Sequence, residues 1–418
     1  MPQNDKEKEN SMEKNKKTCG DLSSSERSKK VFLIFTAAFL GCVLLVGIVF
    51  GTVGIVKSSR AVMRYKNVYL NDGAASYLAT SYKYDFMKML GRSGVDCYDS
   101  EFFWESEAED GKTYGDLLAE STEKYLCRVI VGSYLFDRNT RLTKDDKAVI
   151  EKAVDEVLAY RADGDVDTFN EMAEDMGFTY RDFNRAAEML YKYKMAESVI
   201  FGYDGASLES GAFSLECEAY FESAYSRVKL MFIRTDGEYA TDPETGEKVY
   251  SEFDDTTKAK IQEKIEHIRT LIANAEDDVL GEQMNEEAFD WYVQNDYPTG
   301  SINDTEGYYF SADSSYTQEF AQDAPEVVRL ALSTEVGHYA ECEVDIGVCF
   351  IYKCELEAGA YGRIGLAHFF GDFYKNASSY VYSVSLDAYV SGVSVKDKYN
   401  AYAIVTKPYN QELAVVFG

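Results

Sequence analysis

Only three histidines, His267, His338 and His368, occur in 418 residues. Imidazole is the commonest metal ligand and the usual general base near neutral pH. A multi-histidine zinc site is therefore excluded, and a mechanism using two imidazoles requires these three to converge. The eight cysteines (Cys19, Cys42, Cys97, Cys127, Cys217, Cys342, Cys349 and Cys354) contain no CxxC pair, which removes the usual redox motif and the zinc ribbon. On an apparent strand, Cys349 and Cys354 point to opposite faces and cannot pair directly. Disulfides elsewhere and free buried thiols both remain open. Asp163, Asp165, Asp167 and Glu174 stand at positions 1, 3, 5 and 12 of a calcium-loop pattern. Thr168 occupies the sixth position, where the sharp turn requires glycine, and Asn170 the usually apolar eighth. The simpler reading is that Asp167 caps a helix starting at Thr168. GxSxG, HExxH, the phosphate-binding G-x-x-x-x-G-K-[ST] loop and GxGxxG are all missing. The acidic pairs Asp277-Asp278 and Glu286-Glu287 read as solvated helix faces. No catalytic residue can be named on these grounds, and no cofactor is required.

The balance of the chain narrows the classes further. With 46% hydrophobic and 28% charged residues it is globular rather than wholly disordered. A net charge of −29 repels phosphate backbones, so nucleic acid is excluded as a partner. The 33 Tyr and 24 Phe at helical spacing are mostly core, although a chaperone cradle also uses exposed aromatics.

Residues 31–56 carry no charge over twenty-six positions. As a helix they span ~39 Å, more than the ~30 Å hydrocarbon core, which predicts a transmembrane signal anchor. Lys14, Lys16, Lys17, Arg27, Lys29 and Lys30 precede it, against Lys57, Arg60, Arg64 and Lys66 after it. That excess places a disordered tail, 1–30, in the cytoplasm and the C-terminal part outside. Phe39-Leu40-Gly41-Cys42 is similar to a lipoprotein cleavage box, which leaves lipidation of Cys42 as the alternative. However, the apolar run continues fourteen residues past Cys42, which favours the uncleaved anchor.

The pattern beyond the anchor changes once. Residues 61–72 read as a strand and turn, and 91–115 as a loop. Helical spacing governs 74–90, 116–139, 144–161, 179–201 and 214–225, with a capping box at Thr179 to Asp182. From 226 a strand (227–234) is followed by a turn-rich insert. Next comes a helix capped by Asp254, with Ile261, Ile265, Ile268 and Ile272 in its stripe. A short helix near 285–292, a loop at 297–304, a strand at 307–310, a helix at 315–332 and strands at 338–344 and 348–356 complete a β-α-α-β-α-β-β unit. The tail returns to helix through Phe369, Phe373, Ala377, Tyr380 and Val384, with a strand expected at 402–405.

A helical segment, this insert and a helical return together resemble the SurA/PrsA type of extracytoplasmic chaperone with a parvulin-like domain. Val228 to Arg234 matches the first parvulin strand, and Gly307-Tyr-Tyr-Phe310 the Gly-rich segment. Leu330 to Gly337 is similar to the family's "L-x-x-GE-x-S" turn, and Val348 to Lys353 to its Gly-Tyr-His-Ile-Ile-Lys strand. Gly177 to Phe183 resembles the family's N-terminal chaperone domain.

The resemblance implies an α+β fold: a helical SurA-N-like chaperone domain (60–225) completed by a C-terminal return (361–418), around a parvulin-like domain (226–358). It also places the two family histidines at Phe232 and Phe350. Two phenyl rings there make an apolar floor in place of a proton-handling cluster, so Phe232, Phe310, Phe320 and Phe350 are expected to line a peptide-binding groove. The function so implied is a membrane-anchored chaperone or foldase for unfolded, newly translocated polypeptides, without full prolyl isomerase activity. An active peptidyl-prolyl isomerase and a non-catalytic envelope scaffold are the alternatives.

Overall fold

The computed structural model describes residues 61–108, 111–211, 213–242, 244–277, 286–295 and 306–417. The tail 1–30, the apolar run 31–56 and Cys42 lie outside them. Among the described residues no helix is long and apolar enough to cross a membrane.

Strands β1 (Ala61–Tyr65) and β2 (Val68–Asn71) come first, joined by a turn in which Lys66 takes φ 52°. Helices α1 (Asp72–Arg92) and α2 (Glu101–Glu105) follow. The second lies in the stretch expected to be a loop, and Phe103 and Trp104 anchor it in the core. Next are α3 (Tyr114–Asn139), α4 (Lys144–Ala162), α5 (Val166–Ala173), α6 (Tyr180–Phe201) and α7 (Ser214–Ala224). Three of these starts carry complete capping boxes: Thr113 with Asp116, Thr143 with Asp146, and Thr179 with Asp182. Each box satisfies helix-end N–H groups that would otherwise lack partners.

A four-stranded antiparallel sheet then forms in the order β6-β3-β8-β7. Its strands are β3 (Ser226–Arg234), β6 (Tyr308–Phe310), β7 (Tyr339–Val344) and β8 (Gly347–Cys354). The turn-rich insert after β3 is itself a hairpin, β4 (Gly237–Thr241) with β5 (Lys248–Glu252), whose residues are almost all exposed. Helices α8 (Asp255–Asp277) and α9 (Glu286–Asn295) precede β6. Asp254 does cap α8, accepting from Thr257 N at 2.7 Å. After β6 the expected single helix is two, α10 (Ser315–Asp323) and α11 (Pro325–Ser333). Pro325 starts the second, since it has no N–H to donate back into a continuing helix.

The remainder folds onto the first helices. Phe369 belongs to a 3-10 segment ahead of α12 (Phe373–Val390), and 402–405 forms a 3-10 turn rather than a strand. Arg128 of α3 grips Asp387 of α12 through two bonds, 2.8 and 2.7 Å. The two-residue strand β9 (Ser394–Val395) pairs with β1, Met63 opposite Val395. Lys83 of α1, wholly buried, donates to Val405 O and Lys407 O and pairs with Asp99 at 2.6 Å. Tyr77 donates to Leu413 O and accepts from Val415 N. The mixed helix-and-sheet class expected from the sequence is what the chain adopts.

Candidate functional site

Register decides the site. Met231 lies opposite Phe350 and Phe232 opposite Cys349. Directly opposed residues share a face, and neighbours along a strand alternate. Phe232 and Phe350 are thus on adjacent strands but on opposite faces, and the expected four-phenylalanine groove does not assemble.

Phe350 is fully buried with Met231, Ile233 and Val348 against Ile265 and Ile268 of α8 and Phe289 of α9. Phe310 shares Phe232's face, because it opposes Ser226. It lies six positions along β3 from the Phe232 row, ~20 Å away at the usual strand rise. There it is fully buried, edge-on to Phe320 at 5.0 Å, with Tyr316 at 6.0 Å. Phe310 and Phe320 therefore fill a junction beneath the 364–369 segment, where Tyr316 meets Phe369 at 4.9 Å. A sequence pattern of period two cannot reveal a slip of one residue between strands, and such a slip moved Phe350 to the other side.

Around Phe232 the structure supplies neighbours that the sequence did not suggest. Cys349 is directly opposite it on β8, and Cys342 is opposite Cys349 on β7. The next row is Leu230, Ile351 and Ala340. Helix α11 covers the far end of this face: Lys353, opposite Val228, donates to Ala331 O and Ser226 Oγ, both at 2.6 Å. Burial holds the Lys353 ammonium below its ordinary pKa. Phe232 itself is half-buried, and its ring leans over Gly347, where an added Cβ would come within 2.9 Å. The neighbouring Cys349 thiol holds Cys342 below the ordinary thiol range; the neighbouring Cys342 thiol, with burial, holds Cys349 well above it.

No histidine enters this row. His267 on α8, His338 in the turn before β7 and His368 in the 3-10 segment 364–369 are all exposed. His338 accepts through its backbone from Lys353 N, four residues along β8 from the Cys349 that faces Phe232. The opposite face holds a charged cluster instead. Glu286 pairs with Arg227 at 3.0 Å and with Lys229 at 3.6 Å, and Asp290 pairs with Lys229 at 2.6 Å. Glu286 is thus an ion-pair partner rather than part of an idle solvated face.

The calcium-loop candidates are accounted for locally. Asp165, not Asp167, caps α5, accepting from Thr168 N and Oγ1, both at 2.8 Å. Asp163 ends α4 in the left-handed conformation at φ 49°. Without the glycine turn, Asp163, Asp165, Asp167 and Glu174 do not gather. Among the described residues no group of three or more His, Cys, Asp or Glu side chains is placed to hold a metal ion.

A concavity lies among the helices. A groove of about 730 Å³ runs between α4 and residues 411–416, with Ala153, Val157, Tyr160, Ala414 and Val416 in its walls and Glu412 among its lining residues. Tyr160 is 80% exposed and Val416 74%, so large apolar surface faces solvent there.

No protein-family model matches the chain, and no curated protein matches it. Solved structures to which it is similar include PrsA from Bacillus subtilis (13% identity, 70% of this chain and 93% of that one, TM-score 0.19). They also include the peptidylprolyl isomerase PrsA from Bacillus cereus (13%, 72% and 96%, TM-score 0.22). The foldase protein PrsA from Lactococcus lactis overlaps likewise (12%, 73% and 98%, TM-score 0.19). Overlaps this loose do not superpose the chains as rigid wholes, so the functional reading rests on the residues and strand order of this chain.

Proposed function

We propose that this chain is an anchored chaperone for unfolded, exported polypeptides, with a parvulin-like sheet that holds extended segments but does not perform prolyl isomerisation. The observation that carries the reading is the Phe232–Cys349–Cys342 row. It lies on a sheet of order β6-β3-β8-β7, with two helices between β3 and β6 and two more between β6 and β7, and has no imidazole or carboxylate in it. Rotating a prolyl bond means crossing a barrier of ~18–20 kcal/mol, and a row of phenyl, thiol and aliphatic groups has no group to polarise the amide. Phe232, the half-buried member of the row, does offer apolar surface to a side chain. The groove beside Tyr160 and Val416 offers a second such surface, and two weak sites on one chain raise the effective concentration of a client. Residues 31–56 are assigned as the anchor, with 1–30 in the cytoplasm and the residues after the anchor facing the side on which exported chains emerge.

The test uses full-length protein in mild detergent with a reduced, unfolded substrate protein. The chaperone reading expects aggregation to be suppressed at near-stoichiometric ratios, with no acceleration of cis-to-trans conversion in a proline peptide. An unchanged aggregation curve would favour the scaffold. Accelerated conversion would favour the isomerase.

A further inference from the structure

We propose that Cys342 and Cys349 form a reversible dithiol–disulfide site across strands β7 and β8, oxidised by thiol–disulfide exchange with a small-molecule disulfide. The inference rests on strand register and burial, and stands whether or not this face binds peptide.

The two cysteines oppose each other directly, on one face of the sheet. The ladder fixes their spacing. Thr235 N donates to Ile346 O at 3.0 Å, so the even-numbered residues of β8 turn their backbone groups toward β3. Lys353 N donates to His338 O at 3.0 Å, so the odd-numbered ones face β7. Cys342 and Cys349 are therefore a hydrogen-bonded antiparallel pair, with Cα atoms ~5.5 Å apart. That lies inside the ~4.4–6.8 Å range of disulfides. The Cβ atoms of such a pair are ~5 Å apart, against ~3.8 Å in a relaxed disulfide. Closing the bond draws the strands together, and a strained disulfide is readily reduced. The register thus selects a bond that forms and reopens, rather than a permanent staple.

The two sulfurs have different access and different chemistry. Cys342 is 7% exposed, on the strand at the sheet edge, where Glu326 and Glu341 oppose its thiolate and the exposed Arg329 of α11, paired with Glu326, favours it. Cys349 lies one strand further in, at 4% exposure, and its thiol donates to Phe350 O at 3.9 Å. Cys342 is the attacking thiolate and Cys349 the resolving thiol. In the first step the Cys342 sulfur displaces one thiolate from the small disulfide, giving a mixed disulfide. In the second, Cys349 releases its proton to solvent and attacks the Cys342 sulfur, and the second thiolate leaves. The Cys342 proton also leaves to solvent, so the protein loses two protons and two electrons, and the small disulfide, taking both up, becomes two thiols.

The test equilibrates the full-length chain in mild detergent with mixtures of reduced and oxidised glutathione. Free thiols are then trapped by alkylation. Digestion with trypsin and a glutamyl endopeptidase cuts at Glu343 and Lys353, separating Cys342, Cys349 and Cys354 onto different peptides. The expected product is a Cys342–Cys349 cross-linked peptide that lacks two hydrogens and disappears in excess reduced glutathione. C349S should stop at a glutathione adduct on Cys342, and C342S should leave Cys349 unmodified. The proposal is overturned if the native wild-type protein keeps both thiols alkylatable in a large excess of oxidised glutathione. It is equally overturned if the link forms only in urea, or joins either cysteine to Cys354 instead.

Discussion

Replacing Phe350 or Phe232 by alanine separates the register found here from one slipped by a single residue. The substitutions are chemically identical, one row apart, on neighbouring strands. Phe350 is fully buried and packs with Met231, Ile233, Val348, Ile265, Ile268 and Phe289. Its truncation opens a cavity that both α8 and α9 would have to collapse into, so F350A should cost about 3–5 kcal/mol. Phe232 is half-buried, loses roughly half as much contact, and leaves a space that water can enter, so F232A should cost about 1–2 kcal/mol. Urea unfolding at matched m-values reads both numbers. Aggregation suppression reads function: F232A should weaken it at temperatures where the variant is fully folded, and F350A should leave it intact under the same condition. Equal stability costs, or a functional loss confined to F350A, would refute the assignment of the two rings to opposite faces and the reading built on it.

Other expected outcomes concern how the chain's end is held on its beginning. K83M removes a buried ammonium from Asp99 and two carbonyls; breaking such a pair costs about 3 kcal/mol, and a loss below about 1 kcal/mol in urea unfolding would count against the staple. D387N breaks the partly exposed clamp on Arg128 and should cost about 0.5–1 kcal/mol. Arg128 holds the Asp387 carboxyl below its ordinary pKa, so this contribution is complete above pH ~4 and fades as the pH falls through the lower folded value. Acid unfolding of D387N should accordingly be less steep than that of the wild type. Gly205 has φ +75°, and an added Cβ would sit 2.2 Å from Tyr374 O. G205A should therefore cost about 1–3 kcal/mol by calorimetry, and a neutral result would show that α12 does not pack there.

The local features were legible in the residues. The capping box at Thr179 and the Asp254 cap are contacts over three positions, so spacing alone announced them. The isoleucine stripe of α8 is likewise periodic, and Ile265 and Ile268 are core. Most of the strand and helix order of 226–354 could be read because each element carries its own period, although the helix after β6 is broken into two at Pro325 and the turn-rich insert forms a hairpin. Where a short-range choice was close, reading failed: Asp165 and Asp167 are both competent caps, and only the folded turn selects Asp165.

What lay beyond reach were contacts between residues distant in sequence, since their pairing depends on the whole fold minimising exposed apolar surface. Strand β9 against β1, Lys83 against Val405, and the choice of Cys349 rather than Phe350 opposite Phe232 are of this kind. The residues by themselves determined an acidic, histidine-poor chain with a mixed helix-and-sheet fold. Tertiary structure alone decided which side of the sheet each ring occupies, because alternation defines two faces but says nothing of which neighbouring strand's face it joins.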